Sequence, residues 1–369
     1  MTRDVRAALE TAWEAVAQVD HELAAGAIDE ATWYRRNQAL IVPAYLAAEN
    51  PRAQSGHSGD AARWREARGD LALAIDRDGA FLDVGCASGH LMETAVAWAA
   101  ERGHALEPYG LDLSPELSAL ARRRLPHWQD RIFTGNALDW DPPRRFDFVH
   151  LMQLDCVPPA RRPALVDHLL TRVCAPGGRL ILGPTNERAE APALEPFVTR
   201  LGWPVAGRAE RPHSDPRVTR RVIWLDAPRP VLFLCTGNYF RSRYAEERFN
   251  HRAAAARLPC RALSRGLAVE RGSKNVGPMA QAAVARLARA GLTGPSLARM
   301  PAPVTADLLE SAVRVIALKE AEHRALVEAR WPAFADRVEY WHVDDVDCCP
   351  AEDALARIDA LVDDLIARW

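Results

Sequence analysis

Residues 231–250 read VLFLCTGNYFRSRYAEERFN: an apolar run ending in a thiol, a glycine-bearing turn, then a charged amphipathic stretch. The run has the length and composition of a buried strand, and the stretch after the turn has helical spacing. Between them Cys235 and Arg241 stand in a C-x5-R-S arrangement. A thiol, with an ordinary pKa of about 8.5, is mostly protonated at neutral pH. It becomes a nucleophile where positive charge and unpaired backbone N–H groups surround it. The turn supplies both. The amides of Thr236, Gly237, Asn238, Tyr239 and Phe240 can converge on one point, and Arg241 adds a planar donor fork. The helix start aims its dipole at the same place. Gly237 and Asn238 suit the unusual dihedrals of such a curl, and Ser242 is placed to donate to the sulfur. The pattern is a cradle for a dianion with a thiolate at its floor. A merely structural cysteine would explain VLFLC but leave Gly237, Asn238, Arg241 and Ser242 without a reason.

These residues resemble the low-molecular-weight protein tyrosine phosphatases, whose signature is C-x-G-N-x-x-R-S followed by a small-A-E helix start. Cys235, Gly237, Asn238, Arg241, Ser242, Ala245 and Glu246 carry the match, and Ser264 and Gly266 in LSRGL extend it along a chain segment of residues 230–369. The resemblance implies phosphate monoester hydrolysis with Cys235 as nucleophile and a late aspartate as general acid. Asp345 in VEYWHVDDVDCCP is the expected acid. Its usual partner proline is Val346, so Asp344 and Asp347 stay open. Phe240 replaces a second cysteine common in the family, and Arg243 stands where proline is common, adding charge at the rim. Cys348 and Cys349 replace the aromatic residues that grip a phosphotyrosine ring, which opens the substrate to small phosphate esters as well as phosphoproteins. Arsenate reductases share the loop and are the alternative. They need further cysteines on a mobile segment, and residues 266–292 contain none.

Upstream, APRP at 227–230 punctuates the chain. Before it, short apolar runs (FLDVG, YGLDLS, FDFVHLM, RLILG) alternate with amphipathic stretches. That is the rhythm of a parallel sheet covered on both faces, and RRVIWLD at 220–226 reads as its closing strand. The expected fold is therefore α/β, with two doubly wound parallel-sheet domains over residues 79–226 and 230–369. Residues 1–78 form a helical extension, with Gly26 and Pro43 as breaks and a helix beginning near Asp60; the polar loop before that helix is a candidate lid.

In FLDVGCASGHLMETAV, at 81–96, Gly85 and Gly89 lie between strand and helix, where a tight turn and a close ligand favour residues without a Cβ. Asp112 ends the next strand, where a carboxylate can accept from ribose hydroxyls; Asn136 and Ala137 precede the fourth. Four motifs in this order resemble the class I S-adenosylmethionine-dependent methyltransferases. The resemblance implies S-adenosylmethionine as cofactor, with Asp83, Gly85, Cys86, Ala87 and Gly89 along its methionine part, Asp112 and Leu113 at the ribose, and Asn136 and Ala137 at the adenine edge. Ala87 departs from the usual central glycine, and a NAD-binding fold is the competitor. DPP at 141–143 reads as a turn rather than an amino-methyltransferase motif. His150, Gln153 and Asp155, at the end of the fourth strand, are candidate acceptor-handling groups.

The 369 residues suit two domains with an extension, and apolar and charged fractions of 49% and 26% are ordinary for a globular chain. A formal net charge of −2 gives no field that would draw nucleic acid or an anionic membrane. No apolar run reaches the roughly 18 residues of a membrane span, and the N-terminus lacks the apolar stretch of a signal peptide. Seven cysteines with no C-x-x-C pair argue against a disulfide framework and a metal site. A cytoplasmic bifunctional enzyme is the expectation. A chain in which one half has lost activity and serves as a sensor or scaffold is the competing class.

Overall fold

The computed structural model describes residues 15–57, 59–188, 193–213, 215–256, 258, 260–271 and 275–369. The chain divides into two compact units, residues 1–227 and 228–369.

In the first unit, residues 15–24 are helical, and further helices span Glu30–Leu46 and Ala61–Arg68. The expected helical residues before 15 lie outside the described residues. Pro43 sits inside Glu30–Leu46 rather than breaking it. It falls in the last turn, where an unmade ladder bond and a local ring clash are most easily absorbed. Asp29 and Asp60 cap the second and third helices by accepting from the backbone N–H groups of Thr32 and Arg63.

Seven strands follow: β1 Gly79–Val84, β2 Leu106–Asp112, β3 Ile132–Thr134, β4 Phe146–Leu151, β5 Cys174–Arg188, β6 Gly207–Pro212 and β7 Val218–Asp226. They lie in the order β3-β2-β1-β4-β5-β7-β6. The first five pair in parallel, while β5–β7 and β7–β6 are antiparallel, so the sheet ends in a reversed edge that the sequence reading missed. β6 (GRAERP) is mostly exposed and carries no apolar alternation to announce it. Phe81, Leu82, Phe148, Val149 and Ile181 on the central strands are fully buried. Each such side chain contributes on the order of 1.5–3 kcal/mol on burial. Strand order reverses between β1 and β4, and that switch point opens a crevice at the strands' carboxyl ends.

The second unit has four parallel strands, β8 Val231–Cys235, β9 Ala262–Gly266, β10 Arg314–Ala317 and β11 Val338–Tyr340, ordered β11-β10-β8-β9. All five residues of β8 are buried, as a central strand between two helical layers requires. A long helix, Arg241–Ala255, leaves the β8 turn, and the closing helix Ala351–Ala367 packs beside it.

Candidate active sites

In the first unit, a cavity of about 620 Å³ opens at the carboxyl ends of β1, β2 and β4. Asp83, Gly85, Cys86, Ala87, Asp112, Leu113, Asn136 and Ala137 all line it, as do His150, Gln153 and Asp155. The β1 turn is built on left-handed backbone: Gly85 has φ 78°, Ala87 φ 46° and Gly89 φ 74°. Ala87 thus adopts a conformation that opposes its Cβ, and its N–H donates to Asp112 Oδ2 at 2.8 Å. Asp112 Oδ1 accepts from the Ser114 N–H at 2.9 Å. Both oxygens keep lone pairs for a ligand, although burial pushes the Asp112 carboxyl above its ordinary pKa.

Two expectations need correction. Gly89 is not part of the cavity wall. It starts the helix His90–Ala100 in the left-handed region, φ 74°, which is what favours glycine there. His150 lines the cavity but has no nitrogen left for an acceptor. Its Nε2 donates to the Gly183 carbonyl at 2.9 Å and its Nδ1 pairs with Asp83 Oδ1 at 2.8 Å, tying β1, β4 and β5 together.

The loop read as a lid brings Ser55, Gly56 and His57 to the cavity wall. Ser55 and Ser88 hydroxyls share a 2.8 Å hydrogen bond, and Ser88 donates to the Pro51 carbonyl, fastening this loop to the β1 turn. His57, which no local sequence pattern singles out, has a buried Nε2 with no partner among the described residues. Burial and the nearby Arg68, Arg63, Arg52 and Arg220 push its pKa down to about 4, so the imidazole is neutral near pH 7. Thr185 Oγ1, in the same wall, is likewise buried without a partner. Orphaned polar atoms around a cavity with an acid at its β2 end suit a nucleoside carrying a polar tail.

In the second unit, Cys235 ends β8 with 3% of its surface exposed, and its Sγ lies 3.0 Å from Ser242 Oγ. Asn238 takes the one non-glycine positive φ of this unit's described residues, 51°; Gly237, expected to share that strain, does not. Asn238 is fully buried and acts as a hub. Its Nδ2 donates to Ser242 Oγ at 3.1 Å and Ser264 Oγ at 2.8 Å, and its Oδ1 accepts from the Ala302 N–H at 3.1 Å. Ser264 donates onward to Glu246 Oε2, which Arg299 also engages. Gly266 lets β9 approach the turn: a Cβ there would sit 3.0 Å from the Thr236 carbonyl oxygen. Ala280 N–H and the Tyr239 hydroxyl fix the outer side of the turn through Tyr239 O and Val276 O. Phe240 is buried in the apolar core.

Arg241 begins the helix and is 1% exposed. Its Nη1 donates to Glu322 Oε1 and the Val343 carbonyl, both at 3.0 Å; its Nη2 donates to Glu322 Oε2 and Asp345 Oδ2, both at 2.7 Å. Nε is buried without a partner among the described residues. Burial opposes the charge, but Glu322, Cys235 and Asp345 outweigh it and raise the guanidinium's pKa. Of the three candidate acids, only Asp345 meets Arg241. Asp344 pairs with Lys319, and Asp347 is exposed in the next turn. Arg243 is not at the rim: it is fully buried, pairs with Glu246 at 3.3 Å and donates to the Ser296 carbonyl at 2.8 Å. Cys260 lies in the core, while Cys348 and Cys349 follow Asp345, both their N–H groups donating to its carbonyl.

The first unit is thus an α/β nucleotide-type fold with a ligand cavity at its switch point, and the second a cysteine–arginine loop on a four-stranded parallel sheet. Residues 81–178 match the methyltransferase domain family, and residues 230–344 match the low molecular weight phosphotyrosine protein phosphatase family. The chain joins an enzyme domain of each kind. Among solved structures, the low molecular weight protein tyrosine phosphatase from T. tengcongensis is 26% identical over 38% of this chain and 99% of its own, with a TM-score of 0.33. The YwlE arginine phosphatase from Geobacillus stearothermophilus is 21% identical over 38% and 92%, TM-score 0.31. The N-methyltransferase NodS from Bradyrhizobium japonicum WM9 is 18% identical over 43% and 90%, TM-score 0.33. No curated protein matches the chain. No described helix is long and apolar enough to cross a membrane.

Proposed function

We propose that the chain is a bifunctional enzyme that transfers a methyl group from S-adenosylmethionine and hydrolyses a phosphate monoester through a phosphocysteine. The observation that carries the first half is the cavity that gathers the β1 turn, Asp112 and Asn136 at one switch point. Bound there, S-adenosylmethionine supplies an electrophilic methyl group. Asp112 accepts from the ribose hydroxyls, and Asn136 with Ala137 borders the base. Gln153, Asp155 and Thr185 line the same cavity and are assigned to the acceptor. His57, neutral and with Nε2 free, accepts a hydrogen bond from an acceptor hydroxyl or amine and orients it, its low pKa making it a weak base.

The second half rests on Cys235, Ser242 and Arg241 converging at the β8 turn. The Cys235 thiolate attacks phosphorus in line, the P–O bond to the leaving group breaks, and Asp345 gives that oxygen its proton. Water then cleaves the P–S bond, with Asp345 as base, and the thiolate is restored. Ser242 donates to the sulfur as it leaves. Arg241 Nε–H and the turn amides hold the phosphoryl oxygens.

Two measurements on the full-length protein test these halves separately. Calorimetric titration with S-adenosylhomocysteine should show binding that Asp112→Ala weakens by roughly 1–3 kcal/mol; no binding to the wild type, or tight NAD binding instead, would end the first half. Rapid acid quench with a radiolabelled phosphate ester should trap label on protein. Cys235→Ser should abolish phosphate release yet still bind vanadate, and phosphate release at the wild-type rate would refute the covalent route.

A further inference from the structure

Buried guanidinium groups in this chain are paired. Arg220 meets Glu66, Arg241 meets Glu322 and Asp345, and Arg243 meets Glu246. Arg68, half-buried, carries no ion pair among the described residues. It ends the helix Ala61–Arg68 and lines the first unit's cavity, and no carboxylate lies within ion-pair distance of it. Its one side-chain hydrogen bond is a 3.3 Å contact from Nη1 to the Ala67 carbonyl. Burial pulls its pKa down. Such a charge is costly to keep out of water unless something negative joins it.

The surroundings say where that partner would sit. Trp64, 3% exposed and anchored through Nε1 to Thr94 Oγ1 at 3.1 Å, lies under the guanidinium at 5.6 Å from its ring centroid. Arg220 reaches from β7, held by Glu66 and by Asn186 Oδ1 at 3.4 Å. His57 Nε2 and Thr185 Oγ1, both shut off from water and unpartnered, border the same cavity. These groups come from the lid loop, its helix and the ends of β5 and β7. Asp112 and Asn136, which mark the nucleoside end, come from β2 and the segment after β3. No carboxylate lining the cavity forms an ion pair with Arg68: Asp83, which attracts it at longer range, is held by His150, Asp112 by two N–H groups, and Asp155 is drawn to Arg162.

We propose that the β5–β7 end of this cavity is an anion site, in which Arg68 holds the carboxylate of a small acidic methyl acceptor. The inference rests on the methyltransferase reading above and names its substrate class. Arg68 carries no ion pair among the described residues, while Glu66 already balances Arg220; a monoanion therefore matches the site better than a dianion. A planar carboxylate also fits a guanidinium stacked on an indole. His57 Nε2 and Thr185 Oγ1 complete the polar wall beside the acceptor.

The test uses full-length protein and a matched pair of probes, benzoate and benzamide, followed by ligand-observed NMR with saturating S-adenosylhomocysteine. Benzoate should bind and benzamide should not. Arg68→Gln should weaken benzoate about tenfold or more, as expected for loss of a charged partner. Arg68→Lys should recover part of that loss, and S-adenosylhomocysteine affinity should stay within about twofold in both variants, which also shows an intact cavity. Equal binding of benzamide, no binding of benzoate, or benzoate binding unchanged in Arg68→Gln would overturn the proposal. So would displacement of benzoate by S-adenosylhomocysteine together with weakened S-adenosylhomocysteine binding in Arg68→Gln, since Arg68 would then serve the cofactor's own carboxylate. Failure of S-adenosylhomocysteine to bind the wild type is a separate result: it removes the methyltransferase reading, while the benzoate arm, run without it, still reports on the anion site.

Discussion

Glu322 and Arg241 face each other through two hydrogen bonds, Nη1 to Oε1 at 3.0 Å and Nη2 to Oε2 at 2.7 Å. With the Val343 carbonyl and Asp345 taking further Nη hydrogens, this bidentate pair leaves only Nε unengaged by the described residues, and under the phosphatase reading proposed above it sets the edge that meets a phosphoryl group. Glu322 is therefore a positioning residue. Glu322→Gln should lower phosphatase kcat/KM by about 10- to 100-fold, the scale of losing reactant alignment. Steady-state kinetics should show the fall mainly in kcat, with Glu322→Asp intermediate. Unchanged kinetics would mean that Asp345 and Val343 hold Arg241 unaided.

Under the reading proposed above Asp345 is the general acid, and substrate choice exposes its role. Asp345→Asn should slow hydrolysis of an alkyl phosphate by about 10²- to 10⁴-fold. A nitrophenyl phosphate, whose leaving group needs little protonation, should lose far less. If Asp347→Asn gives that contrast and Asp345→Asn does not, the assignment moves two residues along the loop.

Ala87 carries a Cβ at φ 46°, where glycine is usual. Ala87→Gly should relieve that strain, with part of the gain offset by a freer unfolded chain, for a net stabilisation of about 0.5–1 kcal/mol. Ala87→Val should destabilise by more. Urea unfolding read from the first unit's tryptophans would give both signs.

His323 supplies a pH dependence. It is fully buried, its Nδ1 accepts from the Lys319 N–H at 3.0 Å, and its Nε2 lies 3.5 Å from Glu322 Oε2. Burial first, then Arg241, pushes its pKa down to about 4, with Glu322 pulling the other way. The unfolded chain therefore takes up the proton before the folded one does. The second unit should keep its full stability above about pH 6.5 and lose on the order of 3 kcal/mol as pH falls toward 4. Hydrogen exchange of β8 amides across that range should follow this course, and His323→Gln should flatten it.

What the sequence revealed was local, and what it hid was tertiary. Cys235, Asn238, Arg241 and Ser242 are within eight positions, and strand–turn–helix geometry alone brings them together. Asp112 was legible because a strand end is a fixed place relative to its neighbour. Glu322, Arg299, His57 and Arg68 come from elements whose approach no local spacing encodes. The glycine turn was read correctly as a turn, but Gly89 meets a backbone demand at the helix start and does not line the cavity, since a residue without a Cβ answers either demand equally well. His150 was placed correctly and judged wrongly. A strand-end histidine reaches the cavity wall, yet the carbonyl of Gly183 and the carboxylate of Asp83 had already claimed it.

The Asn238 hub has a consequence for how the second unit meets its ligand. The turn is held from behind by Ser242, Ser264 and Ala302, with Glu246 and Arg299 bracing Ser264, and none of these bonds involves an incoming anion. The mould is set before anything fills it. Under the phosphatase reading proposed above, an oxyanion would meet a surface with almost no freedom left to surrender, and its affinity would reflect charge and fit with little ordering cost. Tetrahedral or trigonal-bipyramidal oxyanions of the right radius should be held alike whatever organic group hangs from them. Discrimination among natural esters then falls to the walls above the loop, the part of the unit freest to diverge.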